Sequence, residues 1–432
     1  MNKVLVISYY WPPMGGGGVQ RWLKTIKYLR QYKWEPVVFT VNNSDISLYD
    51  ESLLYDVPDG IEVISSNIWE PFSLYRIFTG KKGEKINPGF LSKKKGVSFL
   101  NNLSIWIRGN FFIPDAKMFW YNPAIKTISR YLKNNKVDAI VSTGPPHTTH
   151  LIALFIKKKF DIPWLADFRD PWTNIDFYDK LKLTKWADKR HRHLEMNVLL
   201  NANKLVTVSE SWAKDFLNIC GRKPDVITNG YDPADFYKAG KVKLDKKFTL
   251  VHIGSLNKDR NPFNFWKALK DVIIQMPEIL SDLEIQLIGP IDISVKDELE
   301  KNKLLDITKL VDSLPHKKVI KQLIKSQVLL LFLNDVSNIN GVIPGKMYEY
   351  IGAKRPILCI GKKSGDASKI IKKTKSGVVV DFNDIKSMKK EIISAYIKFK
   401  NKTLKVDEKN HNDYSRKKLA GDFSLILNEL IS

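Results

Sequence analysis

The sequence has few cysteines: only Cys220 and Cys359 occur in 432 residues. Two cysteines so far apart form neither a disulfide framework nor a metal-ligand cluster, which favours a reducing compartment such as the cytoplasm. Long apolar runs are also lacking. The longest candidate, residues 328–333, is too short to span a membrane and has the length of a buried strand. Any role at a membrane would therefore be peripheral.

Several chemical motifs are missing as well. No Asp-x-Asp triplet occurs, so the sequence predicts no site for a catalytic divalent metal. Gln20 and Arg21 stand where a G-x-G-x-x-G fingerprint needs glycine, which argues against a dehydrogenase. Four histidines lack carboxylates at metal-ligand spacing and are predicted to be structural: His147, His150, His191 and His193.

Negative charge is scarce relative to positive charge. The chain has 70 Lys and Arg against 46 Asp and Glu, a formal net charge of +24. Such an excess suggests an anionic partner, either nucleic acid or a membrane face that carries acidic lipids.

Two sets of strand-length apolar runs alternate with helix-period segments, a pattern typical of parallel sheets built from βαβ units. The first set covers residues 3–8, 36–41, 61–65, 137–142, 164–168, 205–208 and 226–228. The second covers residues 248–253, 284–288, 308–311, 328–333, 356–360 and 378–380. The polar, lysine-rich residues 232–247 are predicted to link two domains, 1–235 and 245–410, and a C-terminal helix within 411–432 is expected to pack back across the linker.

Residues 66–120 interrupt this rhythm. Between residues 76 and 117 there are nine basic and two acidic residues, and the segment is rich in aromatics: Phe99, Trp106, Phe111, Phe112, Phe119 and Trp120. Basic and aromatic residues interleave in this way in surfaces that lie in a lipid headgroup layer. The alternative is a folded insertion whose aromatics pack into the first domain.

A glycine-rich loop, residues 12–21, follows the first predicted strand. Gly16 and Gly17 allow backbone N–H groups at a helix N-terminus to approach an anion closely, so a phosphate or diphosphate is a plausible ligand. A sharp turn without a ligand is the alternative.

The box Asp167-Phe168-Arg169-Asp170-Pro171-Trp172 follows another strand. Ligands gather at the carboxyl ends of parallel strands, so its charged side chains are expected to point into a crevice. The alternative is an internal ion pair that rigidifies the loop.

The stretch of residues 341–357 carries the strongest signal. Gly345 can open a helix on which Lys346 and Glu349 share one face. A lysine at a helix N-terminus suits a diphosphate, and a carboxylate one turn deeper can accept hydrogen bonds from ribose hydroxyls. A solvated Lys-Glu pair is the alternative.

These motifs, with Thr228-Asn229-Gly230-Tyr231-Asp232 and residues 251–256, resemble in their order along the chain the family 4-like glycosyltransferases of GT-B fold. The resemblance implies two Rossmann-like domains whose parallel sheets face across a cleft. It also implies a metal-independent enzyme that retains anomeric configuration and uses a nucleotide sugar, UDP-sugar above all, as substrate rather than cofactor. Hexosyl or N-acetylhexosaminyl groups are the expected cargo.

The resemblance also assigns residues. Arg169, Asp170, Arg260 and Lys346 are expected in catalysis, with Arg169 where many relatives have a histidine near the reacting sugar. Donor binding is expected from Gly16, Gly17, Gly254, Ser255, Lys258, Gly341, Val342, Ile343 and Glu349. The family's E-x7-E pattern departs here at Gly341, where backbone groups of residues 341–343 would replace the first glutamate. Ser255 is a second departure, because relatives often have arginine there.

Two readings remain from different classes. The first is a glycosyltransferase for bacterial surface glycans that acts on a lipid-linked or polysaccharide acceptor. It would be cytoplasmic, would associate peripherally with the anionic inner face of the cell membrane and would bind no nucleic acid. The second is a basic nucleic-acid-binding or regulatory protein that reuses the fold, whose binding would weaken steeply with salt.

Overall fold

The computed structural model describes residues 1–43, 48–69, 98–336, 338–407 and 409–432. These residues form two compact units, one of Met1–Thr228 with Arg416–Ser432 and one of Asn229–Ser415. Each unit contains a parallel β-sheet, so the predicted α/β class with two parallel sheets is confirmed. The thirteen predicted strands coincide with the observed ones to within two residues at each end.

The first sheet has seven strands in the order β3-β2-β1-β4-β5-β6-β7, all paired in parallel. They are β1 (Asn2–Ile7), β2 (Trp34–Val41), β3 (Glu62–Ser66), β4 (Ala139–Gly144), β5 (Trp164–Phe168), β6 (Lys204–Thr207) and β7 (Asp225–Val226). Central strands such as β4 and β5 are buried throughout, whereas the edge strand β3 is largely accessible. Continuous apolar runs mark the central strands because helices cover both faces of a parallel sheet.

In the described part of the first unit, six helices precede its last strand. They are α1 (Gly17–Leu29), α2 (Ser98–Phe111), α3 (Tyr121–Leu132), α4 (Thr148–Phe160), α5 (Lys185–Asn201) and α6 (Glu210–Cys220). Four tryptophans, Trp22, Trp34, Trp120 and Trp164, are fully buried in this unit. Their large apolar surfaces dominate the core.

The second sheet has six strands in the order β10-β9-β8-β11-β12-β13, again all parallel. They are β8 (Phe248–Ile253), β9 (Leu283–Ile288), β10 (Thr308–Val311), β11 (Val328–Phe332), β12 (Ile357–Ile360) and β13 (Gly377–Val380). The helices of this unit are α7 (Pro233–Ala239), α8 (Phe263–Gln275), α9 (Ile279–Asp282), α10 (Ile293–Lys301), α11 (His316–Lys325), α12 (Gly345–Gly352), α13 (Asp366–Thr374) and α14 (Ile385–Lys400).

The C-terminal helix α15 (Arg416–Ile431) belongs to the first unit. It packs against α1, where the rings of Trp22 and Phe423 lie 4.9 Å apart. Trp34 Nε1 donates to Asn428 Oδ1 at 2.9 Å. The chain therefore passes from the first unit to the second after Thr228 and returns after Ser415.

The polar segment predicted to be a plain linker contains a helix. The Asp232 side chain caps α7 by accepting a hydrogen bond from Ala234 N at 3.1 Å, and Pro233 is the first helical residue. Aspartate followed by proline is a strong helix-start signal. The lysine-rich composition of residues 238–247 concealed it.

The predicted insertion is described only in part. Its basic residues from Arg76 to Lys95 and the aromatic Phe99 side chain lie outside the described portion of the chain. Of the other aromatics, Trp120 is fully buried and donates to Ser66 Oγ at 3.0 Å, as the folded-insertion alternative requires. Phe111, by contrast, is 64% exposed. Among the described helices, none combines the length and the apolar character that crossing a membrane requires.

Candidate functional site

The glycine loop of the first unit connects β1 to α1. Gly15 N donates to Leu48 O at 2.8 Å, which anchors the loop. Gly16 has φ 95°, a conformation that favours glycine, and it precedes α1 without a side-chain cap. Gly16 and Gly17 are both exposed. The two predicted glycines therefore lie at an accessible helix N-terminus, where the dipole favours an anion.

Arg169 joins the loops that follow β1 and β4. Its Nη1 donates to Gly18 O at 2.7 Å, its Nε to Gly144 O at 3.3 Å, and its Nη2 to Pro145 O. A Cβ on Gly18 would lie 3.1 Å from that Nη1, so glycine permits the close approach. The strand order reverses between β1 and β4, the point at which parallel sheets bind ligands. Arg169 thus connects the N-terminus of α1 to the end of β4 at this switch point, and its catalytic role stays a prediction.

Asp167 does not point into the crevice, contrary to expectation. It is fully buried, and its Oδ1 lies 2.8 Å from Nη2 of the buried Arg21. Trp22 Nε1 and Thr143 Oγ1 also donate to its carboxylate, at 2.8 and 2.9 Å. Burial raises the pKa of Asp167, but the charge and hydrogen bonds of Arg21 outweigh it and hold the pKa below its ordinary value. Asp167 therefore forms an internal ion pair with Arg21, which is the alternative stated for this box.

Asp170 is half-buried at the end of the same box. Burial raises its pKa above the ordinary value, Arg169 opposes the rise, and the negative charge of Asp176 adds to it. A carboxylate with a raised pKa is a better proton acceptor near neutral pH. The catalytic role of Asp170 stays a prediction.

The histidines predicted to be structural have packing contacts. His147 stacks on Trp172 with ring centroids 4.5 Å apart, and His150 Nδ1 lies 2.7 Å from Ser142 Oγ. Burial holds the pKa of both imidazoles well below the ordinary value, so both are neutral near pH 7. In the helix α5, His191 Nδ1 accepts a hydrogen bond from Trp172 Nε1 at 3.1 Å.

The second unit brings a lysine to the carboxyl end of β8. Gly254, just after that strand, has φ 108°, and a Cβ there would lie 2.7 Å from Lys346 Nζ. The N–H of Gly254 donates to Ile288 O at 2.7 Å. The strand order of this sheet reverses between β8 and β11. Lys346 thus lies at the switch point where parallel sheets bind ligands.

His252 lies in β8 beneath this lysine. Its Nδ1 is 3.0 Å from Leu330 O, so Nδ1 carries the proton and Nε2 is an acceptor. Nε2 lies 3.4 Å from Lys346 Nζ. Burial, reinforced by the positive charge of Lys346, lowers the pKa of His252 well below its ordinary value. A neutral imidazole therefore supports the ammonium group without adding positive charge.

Arg260 is a second cation in this unit. Its Nε donates to Asn334 Oδ1 at 2.8 Å, and its Nη1 donates to Ser255 O at 3.1 Å. Burial, together with the charge of Arg260, lowers the pKa of Lys346 to about 7. Lys346 Nζ lies beside Gly254 and Arg260 bonds to the carbonyl of the next residue, Ser255, so both cations are at the loop that follows β8.

Neither cation is paired with a carboxylate among the described residues, although the charge of Glu349 favours the ammonium form of Lys346. In the part of the chain that the structure describes, neither Lys346 nor Arg260 forms an ion pair. The helix α12 begins at the exposed Gly345 after Pro344, without a side-chain cap. Partly buried cations and an uncapped helix N-terminus are groups that favour an anion, and the predicted anion site here stays a prediction.

Glu349 lies one turn further along α12 and is hydrogen-bonded to another helix. Its Oε1 is 2.9 Å from Nε2 of His316, the first residue of α11. The Glu349 side chain is 32% exposed and that of His316 is 28% exposed. A ligand can therefore reach the carboxylate while His316 holds it.

The predicted backbone contacts before α12 are partly occupied. Gly341 N donates to Asn338 O and Val342 N donates to Ile339 O, both at 3.2 Å, within a buried turn. Those two N–H groups already have partners, which leaves the backbone N–H of Ile343 as the donor toward a ligand. The role of residues 341–343 stays a prediction.

Two further predicted residues lie nearby in sequence. Ser255 is exposed, and its carbonyl accepts from Arg260. Lys258 is exposed in the single turn Lys258–Arg260. The structure thus brings together Gly254, Ser255, Arg260 and Lys346, with Glu349 one turn along α12, whereas no side-chain contact in the described part of the chain joins Lys258 to this group.

Comparisons with known proteins agree with the topology. No protein-family model matches the sequence, and no curated protein does. A sucrose-phosphate synthase from Thermosynechococcus elongatus matches with a TM-score of 0.62 and 12% identity, over 100% of this chain and 99% of that chain. Anabaena HepE in complex with UDP and glucose matches with a TM-score of 0.61 and 12% identity, over 99% of this chain and 100% of that chain. A Staphylococcus aureus TarM mutant in complex with fondaparinux, α-GlcNAc-glycerol and UDP matches with a TM-score of 0.59 and 11% identity, over 99% of this chain and 100% of that chain.

The chain has the GT-B fold. At 11–12% identity this likeness establishes the architecture, and the function has to be argued from the site. Membership of the family 4-like group stays a prediction.

Three residues near the predicted site of this GT-B chain were not predicted from the sequence. His252 lies within an apolar strand, Asn334 follows β11, and His316 begins α11. The motif of residues 251–256 contains His252, but the local sequence predicted no partner for His252 or for Asn334, because each acquires its partner from a distant segment. Only His316, directly after a proline and at the start of a helical pattern, carried a usable positional signal.

Proposed function

We propose that the protein is a glycosyltransferase whose second unit binds the diphosphate of a nucleotide-sugar donor, most readily a UDP-sugar. One observation carries the proposal: Lys346 and Arg260 are two partly buried cations that form no ion pair among the described residues, beside the uncapped N-terminus of α12. Buried charges normally have partners, so an anion is the missing one. A diphosphate provides two adjacent anionic groups for two cations.

The donor ribose would lie one turn beyond the diphosphate. Glu349 is three residues after Lys346 on α12, so the two side chains share a face of the helix. Its carboxylate can accept hydrogen bonds from the 2′- and 3′-hydroxyls. Recognition of a nucleoside diphosphate rather than of inorganic diphosphate would follow from this pairing.

The chemistry would be transfer of the sugar to an acceptor hydroxyl. The bond between the anomeric carbon and the diphosphate oxygen breaks, the acceptor oxygen bonds to that carbon, and the hydroxyl proton leaves with a base or with the departing diphosphate. Lys346 and Arg260 would stabilise the negative charge that develops on the leaving group. They would supply the charge that a divalent metal supplies elsewhere, and we propose that transfer retains the anomeric configuration.

The first unit is proposed to bind the acceptor. Its switch point presents the exposed N-terminus of α1 at Gly17 and the half-buried Asp170. The raised pKa of Asp170 suits a group that accepts the proton of an acceptor hydroxyl. Arg169 would keep the two loops of this crevice in place.

A membrane surface is the proposed location of the acceptor. Helix α2 carries exposed Ile105, Ile107 and Phe111, and it packs against α5, on which Trp186 is 67% exposed. The exposed α5 residues Lys185, Lys189 and Arg190 are basic. Apolar groups flanked by basic ones favour the anionic inner face of a cell membrane. We therefore propose a peripheral enzyme of bacterial surface glycan synthesis with a lipid-linked or polysaccharide acceptor.

A thermal-stability screen of nucleotide sugars tests the proposed function. A ligand that binds only the folded protein stabilises it by about 2.7 kcal/mol at one hundred times its Kd. We expect one group of nucleotide sugars to raise the Tm of the wild type but not of a Lys346→Ala, Arg260→Ala double variant. A Lys267→Ala variant, which changes an exposed residue of α8, should respond as the wild type does.

The nucleic-acid alternative gives the opposite result. Single- and double-stranded oligonucleotides would then stabilise the protein, steeply less so as salt rises, and no nucleotide sugar would do so. That outcome would remove the glycosyltransferase proposal.

A further inference from the structure

The contact between α11 and α12 has a use beyond packing, and the inference drawn from it rests on the proposed function. His316 Nε2 and Glu349 Oε1 are 2.9 Å apart although the residues are 33 positions apart in the chain. An ionised carboxylate only accepts hydrogen bonds, so Nε2 carries the proton and donates. The bond therefore forms with either a neutral or a charged imidazole.

The carboxylate of Glu349 has a competing partner. Lys346 lies three residues earlier on the same helix, a spacing at which lysine and glutamate commonly pair. In the structure they do not pair: the Lys346 ammonium is directed at His252 Nε2 and the Glu349 carboxylate at His316. A Lys346–Glu349 ion pair would neutralise the cation that faces the anion site and would occupy the oxygens available to ribose.

We propose that His316 is a positioning residue that holds Glu349 toward the ribose hydroxyls of the donor and away from Lys346. His316 engages Oε1 and leaves the Oε2 lone pairs for the ligand. His316 is the first residue of α11 and follows Pro315, so the proline ring and the helix restrict its backbone conformation.

The test compares two ligands rather than one. Calorimetric titration measures the Kd of UDP and of 2′,3′-dideoxy-UDP for the wild type, His316→Ala, His316→Gln and the control Lys318→Ala. Lys318 is exposed and, two residues after His316, lies on the opposite side of α11. Glutamine keeps an N–H donor near the position of Nε2, whereas alanine does not. Circular dichroism and Tm establish that each variant is folded.

The wild type and Lys318→Ala should prefer UDP over the dideoxy ligand by about tenfold or more, the effect of hydrogen bonds from hydroxyls to a charged carboxylate. In His316→Ala that preference should fall to about twofold or less, and His316→Gln should restore most of it. A purely structural defect would weaken both ligands by the same factor and leave the preference unchanged.

The outcomes distinguish a failure of this inference from a failure of the proposed function. A wild type that binds UDP with the preference, and a His316→Ala variant that keeps it, would overturn the inference and leave the proposed function intact. Loss of the preference in both His316→Ala and His316→Gln would indicate that His316 contacts the ribose directly. That result would also overturn the inference that His316 positions Glu349. A wild type that binds neither ligand would overturn the proposed function itself.

Discussion

Lys346 Nζ lies 3.4 Å from the acceptor nitrogen Nε2 of the buried His252. Burial and the neighbouring Arg260 lower the pKa of Lys346 to about 7, so at neutral pH the free site contains the ammonium and amine forms in comparable amounts. A bound anion favours the ammonium form. The site is therefore expected to take up a proton when it binds a diphosphate above neutral pH.

This proton uptake is measurable by calorimetry at pH 8 in buffers of different ionisation enthalpy. At that pH the terminal phosphate of UDP, whose second pKa is about 6, is already deprotonated. The wild type should take up close to one proton per UDP, whereas Lys346→Arg, charged throughout, should take up almost none. Affinity of the wild type should fall as pH rises from 7 to 9. An uptake near zero in the wild type would contradict the low pKa of Lys346.

Glu349→Ala should weaken UDP binding by about tenfold to a hundredfold, because hydrogen bonds between ribose hydroxyls and the carboxylate are lost. The side chain is about one-third exposed, so the fold should survive. Calorimetric Kd values with Tm as the folding control measure both effects. An unchanged Kd would show that the ribose assignment is wrong.

Replacing Asp167 with alanine should destabilise the first unit. The change leaves the Arg21 guanidinium buried without its counter-charge, and breaking a buried pair costs about 3–5 kcal/mol. Denaturant unfolding followed by tryptophan fluorescence measures the loss. UDP affinity of the folded variant should stay near that of the wild type, because the proposed donor site belongs to the second unit. A stability equal to that of the wild type would show that the Arg21–Asp167 pair does not stabilise the first unit.

The membrane proposal predicts binding to acidic vesicles that weakens as salt rises. Each basic residue near an anionic surface contributes about 1 kcal/mol, so changing Lys93, Lys94 and Lys95 to glutamine should release much of the protein in co-sedimentation. The control removes the same charge from α14 by changing Lys386, Lys390 and Lys398 to glutamine, and should sediment as the wild type does. Equal binding to neutral vesicles, or none to either kind, would restore the folded-insertion interpretation.

Much of the architecture was predictable from local patterns. Buried parallel strands are short apolar runs, so β5 and β8 were predicted at their observed limits. Lys346 and Glu349 were predicted to share a face because helix geometry fixes that spacing. Partners far apart in sequence were not predictable: Arg21 pairs with Asp167 across 146 positions, and Glu349 with His316 across 33. Arg169 has backbone carbonyls as its partners, and a backbone carbonyl carries no residue-specific signal.

Turnover of the nucleotide sugar that the stability screen selects tests the central claim most directly. Release of nucleoside diphosphate, with and without acceptor, is measured for the wild type, Arg260→Ala, Lys346→Ala and the surface control Lys267→Ala. If Arg260 and Lys346 stabilise the leaving diphosphate, each alanine variant should lose about 10²- to 10³-fold in kcat with little change in acceptor KM, and the control should lose nothing. Turnover near that of the wild type in both variants would contradict the account.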